Sequence, residues 1–186
     1  MEKNKIINQE ISVKFKPRAR ILLQLGDQLI RSESIALIEL VKNSYDADAH
    51  KVNVYMENAD VPAKGVIIIE DDGYGMDANT VENVWMEPGS DFKTEKFLKR
   101  QVSPKYKRLP IGEKGIGRFG VHKLGNRIEM TTKSHDSKEV YVEIDWNEFE
   151  KYRYLEEVPV TIIERDSPKL FTNGRTGTSI IISNLR

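Results

Sequence analysis

Apolar positions along the chain predict a helical first part and a strand-rich second part. Helical spacing of apolar residues predicts helices over 17–31 and 33–48, with Pro17 in the first turn of the former and Ser32 as the N-cap of the latter. A shorter helix is predicted over 77–86.

Strand-like patterns account for most of the remaining chain. Alternation predicts a short strand over 11–15, a second strand-like run occupies 52–57, and a continuous β-branched run over 65–71 predicts a buried interior strand. Four further strands are predicted, over 127–134, 139–146, 160–166 and 178–185. Because helices come early and strands late, with a tight connector at 135–138, we expect an α+β domain with a mostly antiparallel sheet.

Residues 87–118 break this pattern, since prolines and glycines are mixed there with many charged residues. An irregular connection of this length inside a compact domain is usually functional or disordered. No shift in composition marks a domain boundary. We therefore predict a single domain over 1–186, whose residues 1–16 form an N-terminal strand or arm.

Composition excludes several classes of protein. The 186 residues include 29 basic and 29 acidic side chains, so a uniformly basic nucleic-acid surface is excluded and direct nucleic-acid binding is not expected. The absence of cysteine excludes disulfides, thiolate zinc sites and a cysteine nucleophile. No apolar run approaches the roughly 20 residues of a membrane span, and the N-terminus lacks a signal-peptide pattern. We expect a cytoplasmic protein without membrane partners.

A polar stripe runs along the second predicted helix, which is otherwise largely apolar. Glu39, Asn43 and Asp46 follow each other at i, i+4 and i+7, which places them on one side of the helix. Carboxylates on a buried helix need partners, water or a ligand. The alternative interpretation is the exposed face of an ordinary amphipathic helix.

An acidic turn with two glycines follows the predicted interior strand. Residues 70–76 read EDDGYGM, and glycines at alternate positions let a ligand approach the backbone. Asp71 is placed to accept a hydrogen bond from an amino group at the floor of a pocket. A plain turn is the alternative, whereas the oxygen spacing of an EF-hand calcium loop is absent.

A glycine-rich segment occupies residues 112–120, which read GEKGIGRFG. Successive backbone N–H groups there could bind an anion, above all if a helix begins near Gly117. The segment is neither a Walker A loop nor a dinucleotide-binding fingerprint, because the required lysine and the preceding strand are both missing. A flexible loop is the alternative interpretation.

Together, these motifs resemble those of the GHKL, or Bergerat-fold, ATPases, which include DNA gyrase, chaperones of the ninety-kilodalton heat-shock class, histidine kinases and MutL-type repair proteins. Residues 39–47 (ELVKNSYDA) are similar to the box E-x-x-x-N-x-x-D-A, and residues 71–76 (DDGYGM) to D-x-G-x-G. Residues 115–120 (GIGRFG) resemble the glycine box, and residues 177–180 (GTSI) the late G-T-x-I strand. The resemblance extends from about residue 20 to the end.

The resemblance implies a two-layer fold, with a mixed, mostly antiparallel sheet covered by helices on one face, and it implies ATP and Mg²⁺ as cofactors. Glu39 would be the catalytic residue that orients or deprotonates water, and Asn43 would hold Mg²⁺. Asp46 would lie near the ribose or brace the pocket. Asp71 would accept from the adenine amino group, partly through water shared with Thr178.

The resemblance also assigns the remaining nucleotide contacts and makes residues 87–118 the ATP lid. The adenine pocket would include Gly75 and Met76, and Gly73 and Gly112 would also belong to the ATP-binding residues. The residues that would cradle phosphates are Gly115, Ile116, Gly117, Arg118, Phe119, Gly120 and Val121. Within the lid, residues 93–108 carry seven basic side chains, among them Lys93, against one acidic side chain, as suits a strap beside a triphosphate. Residues 33–87, by contrast, carry twelve acidic and three basic side chains.

The expected function is slow hydrolysis of Mg-ATP by the nucleotide-binding head of a larger chaperone-like or DNA-related machine. A glutamate at position 39, where histidine kinases usually have asparagine, favours water activation. His50, His122 and His135 are interpreted as ordinary surface or pocket-edge residues. The alternatives are a nucleotide-sensing module without useful hydrolysis and a histidine kinase-like phosphotransfer domain. Family analogy implies further domains in a longer chain and ATP-dependent homodimers.

Overall fold

The computed structural model describes residues 12–61, 63–89, 98–111 and 117–186, with only the backbone for 117–119. A single antiparallel sheet dominates this part of the chain, with strand order β1-β2-β6-β3-β4-β5. Its six strands are β1 Val52–Glu57, β2 Val66–Asp71, β3 Gly125–Lys133, β4 Glu139–Asp145, β5 Thr161–Arg165 and β6 Gly177–Leu185. The predicted α+β class is confirmed, as are these strands within one or two residues at each end.

Helices lie on one face of the sheet. They are α1 Ile21–Leu29, α2 Glu33–Asp46, α3 Ala78–Thr80 and α4 Glu148–Lys151, with a π-helical turn Val81–Trp85 after α3. Two 3-10 helices, Gly117–Lys123 and Leu155–Glu157, complete the described helical segments. The sequence pattern did not predict α4 or Leu155–Glu157, since both are too short for a helical period to be visible.

The N-terminal part differs from the prediction. Residues 12–16 lie in no strand, and α1 begins at Ile21 rather than at residue 17. The chain beside Pro17 pairs instead with the segment around Tyr154, where Leu155 donates its N–H to the Pro17 carbonyl at 3.1 Å. A long-range backbone contact therefore replaces the first predicted helical turn.

Helix α2 is capped as the sequence predicts. The Ser32 hydroxyl accepts from the Ile35 N–H at 3.3 Å, which satisfies one of the free donors of the first turn. Ala36, Leu40 and Ser44 follow each other at i, i+4 and i+8 and are all buried. This row turns α2 toward the sheet and ends in a polar residue beside strand β2.

The core lies between the helices and every second residue of the strands. Ile69, Ile180, Met130 and Val142 stand side by side across four neighbouring strands, and they pack in or against the same apolar cluster as Leu40. β2 is an interior strand as predicted, but its burial alternates along the strand instead of being continuous. This difference arises because the helices cover only one face of the sheet.

His122 is not the surface or pocket-edge residue that the sequence suggested. Its side chain is 1% exposed and meets the Trp146 ring edge-on, with the ring centroids 5.9 Å apart. Its Nε2 lies 3.2 Å from a carboxylate oxygen of Asp27. His122 therefore belongs to the packing between the 3-10 helix Gly117–Lys123, α1 and the end of β4.

No helix in the described ranges is both long enough and apolar enough to cross a membrane. Several predictions fall wholly or partly outside those ranges. Four predicted site residues lie outside, namely Lys93, Gly112, Gly115 and Ile116, as do the side chains of Arg118 and Phe119. The same holds for residues 1–11 of the predicted N-terminal arm and for residues 90–97 and 112–116 of the predicted lid.

Candidate functional site

Asp71 is the central polar residue of the site, at the C-terminal end of β2. It is buried, and its carboxylate accepts from the Ser44 hydroxyl at 2.8 Å and from the N–H groups of Gly73 at 3.0 Å and Thr178 at 3.2 Å. Burial raises the pKa of Asp71, the three hydrogen bonds oppose this, and the charge of Asp72 adds to the rise. The carboxylate is thus held in one orientation by donors from α2, the turn and β6.

A threonine pair joins the acidic turn to the sheet. Thr132 and Thr178 are cross-strand partners in β3 and β6, and their hydroxyl oxygens lie 3.0 Å apart. Thr132 is fully buried, and its hydroxyl oxygen accepts from the Met76 N–H at 2.9 Å and lies 3.0 Å from the Gly177 carbonyl oxygen. Met76 and Thr178 are therefore brought together through Thr132, a residue that the sequence motifs did not identify.

Two glycines of the turn allow close backbone packing. A Cβ at Gly73 would lie 2.6 Å from the Ala47 carbonyl oxygen, and one at Gly75 would lie 2.1 Å from the Lys133 carbonyl oxygen. Gly75 also has φ +60°, a conformation that L-residues rarely adopt. Both glycines are required for the turn to pack beneath α2 and against the end of β3.

The polar stripe of α2 flanks this site. Glu39 and Asn43 are half-buried and one helical turn apart, and Asn43 immediately precedes the Asp71 partner Ser44. The Lys42 ammonium lies 2.7 Å from the Glu39 carboxylate. Asp46 accepts from the N–H of Ile111 at 2.9 Å, so it contacts the predicted lid. The stripe is therefore not a uniformly solvated face.

The glycine-rich segment is described from residue 117 onward. Gly117 begins a 3-10 helix, in agreement with the predicted helical start, while the side chains of Arg118 and Phe119 lie outside the described part. A Cβ at Gly120 would lie 2.4 Å from the Ile30 side chain, and Val121 belongs to the apolar core. The side chain of Val121 and the missing Cβ of Gly120 thus serve packing, which leaves only the backbone of these residues for a ligand.

Asp48 is an important residue that sequence reasoning missed. It is buried just after α2, with φ +61°, and accepts from the Ser103 hydroxyl at 2.6 Å and from the N–H groups of Lys105 at 2.8 Å and Tyr106 at 3.2 Å. Burial favours a higher pKa, but these hydrogen bonds and the Arg108 charge outweigh it and hold the pKa of Asp48 below its usual value. In the sequence, the only signal for this residue was a further aspartate directly after the D-A pair at residues 46–47.

Arg108 strengthens the same contact. Its guanidinium lies 4.6 Å from the ring centroids of both Tyr45 and Tyr106 and donates to the Ala49 carbonyl oxygen at 2.7 Å. Part of the predicted basic strap is therefore fastened to the end of α2. The Arg108 guanidinium is thus engaged by groups of the protein itself, and its charge helps to lower the pKa of Asp48.

Glu139 anchors residues 169–171, the segment that leads into β6 and Thr178. Its carboxylate is fully buried and accepts from the N–H groups of three consecutive residues, 169–171, at 2.9, 2.8 and 3.0 Å, and from Arg165 at 3.1 Å. Burial alone would raise the pKa of Glu139, but these donors lower it. The Phe171 side chain, held in this way, packs closely on Gly177, which directly precedes Thr178. A Cβ at Gly177 would lie only 2.9 Å from the Phe171 ring.

A metal held by protein side chains alone would need several ligands close together. The described part of the chain gathers no cluster of three or more histidine, aspartate or glutamate side chains. Mg²⁺ needs few protein ligands when phosphates and waters supply the rest, and the amide oxygen of Asn43 beside Glu39 is a suitable hard donor. The described residues therefore fit Mg²⁺ that arrives with a nucleotide.

A protein-family model supplies the comparison that decides the assignment. The model for histidine kinase-, DNA gyrase B- and HSP90-like ATPases matches residues 30–178. The chain belongs to this family. The matched range contains α2, the acidic turn, the glycine-rich segment and the start of β6, so the predicted GHKL superfamily is confirmed. No curated protein matches the chain significantly. Membership of the GHKL ATPases indicates an ATP-binding domain in which hydrolysis is chemically feasible.

Proposed function

We propose that this domain binds Mg-ATP and hydrolyses it slowly to ADP and phosphate, as the nucleotide-binding head of a larger chaperone-like or DNA-related machine. The observation that carries the proposal is the hydrogen bonding of the Asp71 carboxylate. An ionised carboxylate offers about four acceptor positions, and Ser44, Gly73 and Thr178 use three. The remaining position, on the oxygen that Ser44 contacts, suits the exocyclic amino group of adenine.

The polar stripe supplies the phosphate chemistry in this proposal. Asn43 would hold Mg²⁺, which neutralises charge on the phosphates when bound. Glu39 would orient the attacking water and accept its proton. Its contact with Lys42 is between partly exposed groups, and such pairs contribute little free energy, so Glu39 can exchange this partner for water.

The same contact favours a second candidate, a nucleotide-sensing module without useful hydrolysis. As long as the pair persists, the Lys42 ammonium 2.7 Å away occupies a Glu39 carboxylate oxygen that the attacking water would need. In such a module, bound ATP would act through a change of conformation or partner. Both candidates share ATP binding and differ only in turnover.

A thermal titration tests the shared part of the proposal. ATP with Mg²⁺ at 100 times its Kd should stabilise the domain by roughly 2.7 kcal/mol, seen as a rise in melting temperature. Asp71→Asn should reduce the shift, because an amide presents a donor where adenine needs an acceptor. If no purine nucleotide changes the melting temperature of the unmodified protein, the proposed function is wrong.

We infer the partners and the location of this protein from its family. We expect further domains in a longer cytoplasmic chain and a homodimer that forms with ATP. Sedimentation of the full chain with a non-hydrolysable ATP analogue should show a dimer that is absent without nucleotide. A monomer under both conditions would contradict the proposed dimer without affecting nucleotide binding.

A further inference from the structure

A compact contact fastens residues 103–111 to the end of α2. We call it the clasp and define it by Asp48, Ser103, Tyr106 and Arg108. Within the clasp, the Ser103 hydroxyl donates to Asp48 at 2.6 Å and accepts from the Arg108 N–H at 2.9 Å. A backbone hydrogen bond from the Ser103 N–H to the Arg108 carbonyl oxygen, at 2.8 Å, closes the same turn. The turn is thus held both by its own backbone and by one buried carboxylate.

Asp48 is the polar centre of the clasp. Asp48 is 3% exposed, so its charge must be compensated, and the donors that compensate it come from residues 103, 105 and 106. Arg108 adds its charge, its two tyrosine contacts and its bond to Ala49. Because a buried carboxylate that loses its donors is costly, residues 103–108 have one strongly preferred position on α2.

That position bears on the phosphate end of the proposed site. Asp46 binds the Ile111 N–H, so the chain leaves the clasp against the last turn of α2, and the glycine-rich run begins at the next residue. Asn43 lies less than one turn earlier on the same helix. The clasp therefore holds residues 103–111 beside the turn of α2 that carries Asn43.

We propose that Asp48 is a positioning residue for the triphosphate: it holds residues 103–111 against the last turn of α2, beside Asn43, which would hold the Mg²⁺ of the nucleotide. Asp48 itself does not touch nucleotide. This inference rests on the proposed ATP binding. It predicts that loss of the clasp weakens the binding of ATP, which carries three phosphates. The binding of adenosine, which carries none and would be recognised by Asp71, should stay unchanged.

Asp48→Asn is the sharpest test. Asparagine tolerates the left-handed backbone at this position, so backbone strain is not introduced, but its amide group opposes the donors that Asp48 accepts. Calorimetry with Mg²⁺ should show ATP bound about tenfold more weakly or worse, and adenosine within about twofold of the unmodified protein. Asp60→Asn, in an exposed turn after β1, is the matched control and should change neither affinity.

Arg108→Lys gives a second variant, which keeps the charge but loses the planar contact with both tyrosines. It should lower ATP affinity without lowering adenosine affinity, and it carries the test alone if Asp48→Asn does not fold. Equal losses for ATP and adenosine, or an unchanged ATP affinity in the folded variant, would overturn the positioning role. If the unmodified protein bound no nucleotide, the proposed function would fail first, and the inference with it.

Discussion

The Ser44 hydroxyl donates a 2.8 Å hydrogen bond to the buried carboxylate of Asp71, and this contact joins α2 to the end of β2. Ser44 completes the buried row of α2, while Glu39 and Asn43 lie on the flank of the same helix. One side-chain contact therefore sets the distance between the proposed adenine acceptor and the proposed phosphate groups.

Ser44→Ala should destabilise the protein by about 1–3 kcal/mol, because a buried carboxylate loses a donor. The bond to Ser44 lowers the pKa of Asp71, so its loss should raise that pKa further. ATP affinity in the variant should then begin to fall at a higher pH as the solution is acidified from neutral. Urea unfolding and calorimetry measure the two effects. Ser34→Ala, at an exposed position of the same helix, should leave both unchanged.

Glu39→Ala should keep Mg-ATP binding and lose at least about a hundredfold in turnover, since a positioned general base contributes that much or more. Phosphate release under saturating ATP measures turnover, and calorimetry measures binding. Glu33→Ala, an exposed carboxylate in the first turn of α2, is the matched control. Residual turnover equal to that of the unmodified protein would favour the nucleotide-sensing module.

Gly75→Ala should cost about 3 kcal/mol or more, because the new Cβ meets backbone oxygens of both Lys133 and Gly177 and the backbone has a positive φ. Gly174→Ala separates the two causes. Gly174 has φ +74° with open space around it, so that variant should lose only the strain of about 1–2 kcal/mol. Equal losses in urea unfolding would show that the close approach at Gly75 is unimportant.

Glu139→Gln should lower the free energy of unfolding more at neutral pH than at acidic pH. Its pKa is lowered in the folded protein, so the ionised group stabilises the fold above its ordinary value of 4.5, and this stabilisation is lost as the pH falls through the folded pKa. At neutral pH we expect a loss of about 2–3 kcal/mol, which shrinks on acidification. Unfolding curves across this pH range measure the difference. Glu164→Gln, exposed on the adjacent strand, should show no such dependence.

Much of the fold could be predicted because its signals are local. Ser32 caps α2 through a bond three residues away, and the strands β2 to β6 follow β-branched or alternating runs. The family pattern also pointed to Asp71 and Thr178, and the fold brings these two residues into contact. The helix start at Ile21 was missed because the competing contact, from Pro17 to Leu155, spans most of the chain.

The sequence by itself determined the α+β class, the membership of the GHKL ATPases and the chemical types at the site, because periodicity and motif spacing are properties of the chain alone. Only the tertiary structure decided which groups compensate the buried charges: Ser44 for Asp71, Ser103 and Arg108 for Asp48, and the backbone of 169–171 for Glu139. These partners are far apart in sequence. Burial makes each carboxylate depend on donors that only the folded chain brings within hydrogen-bonding distance.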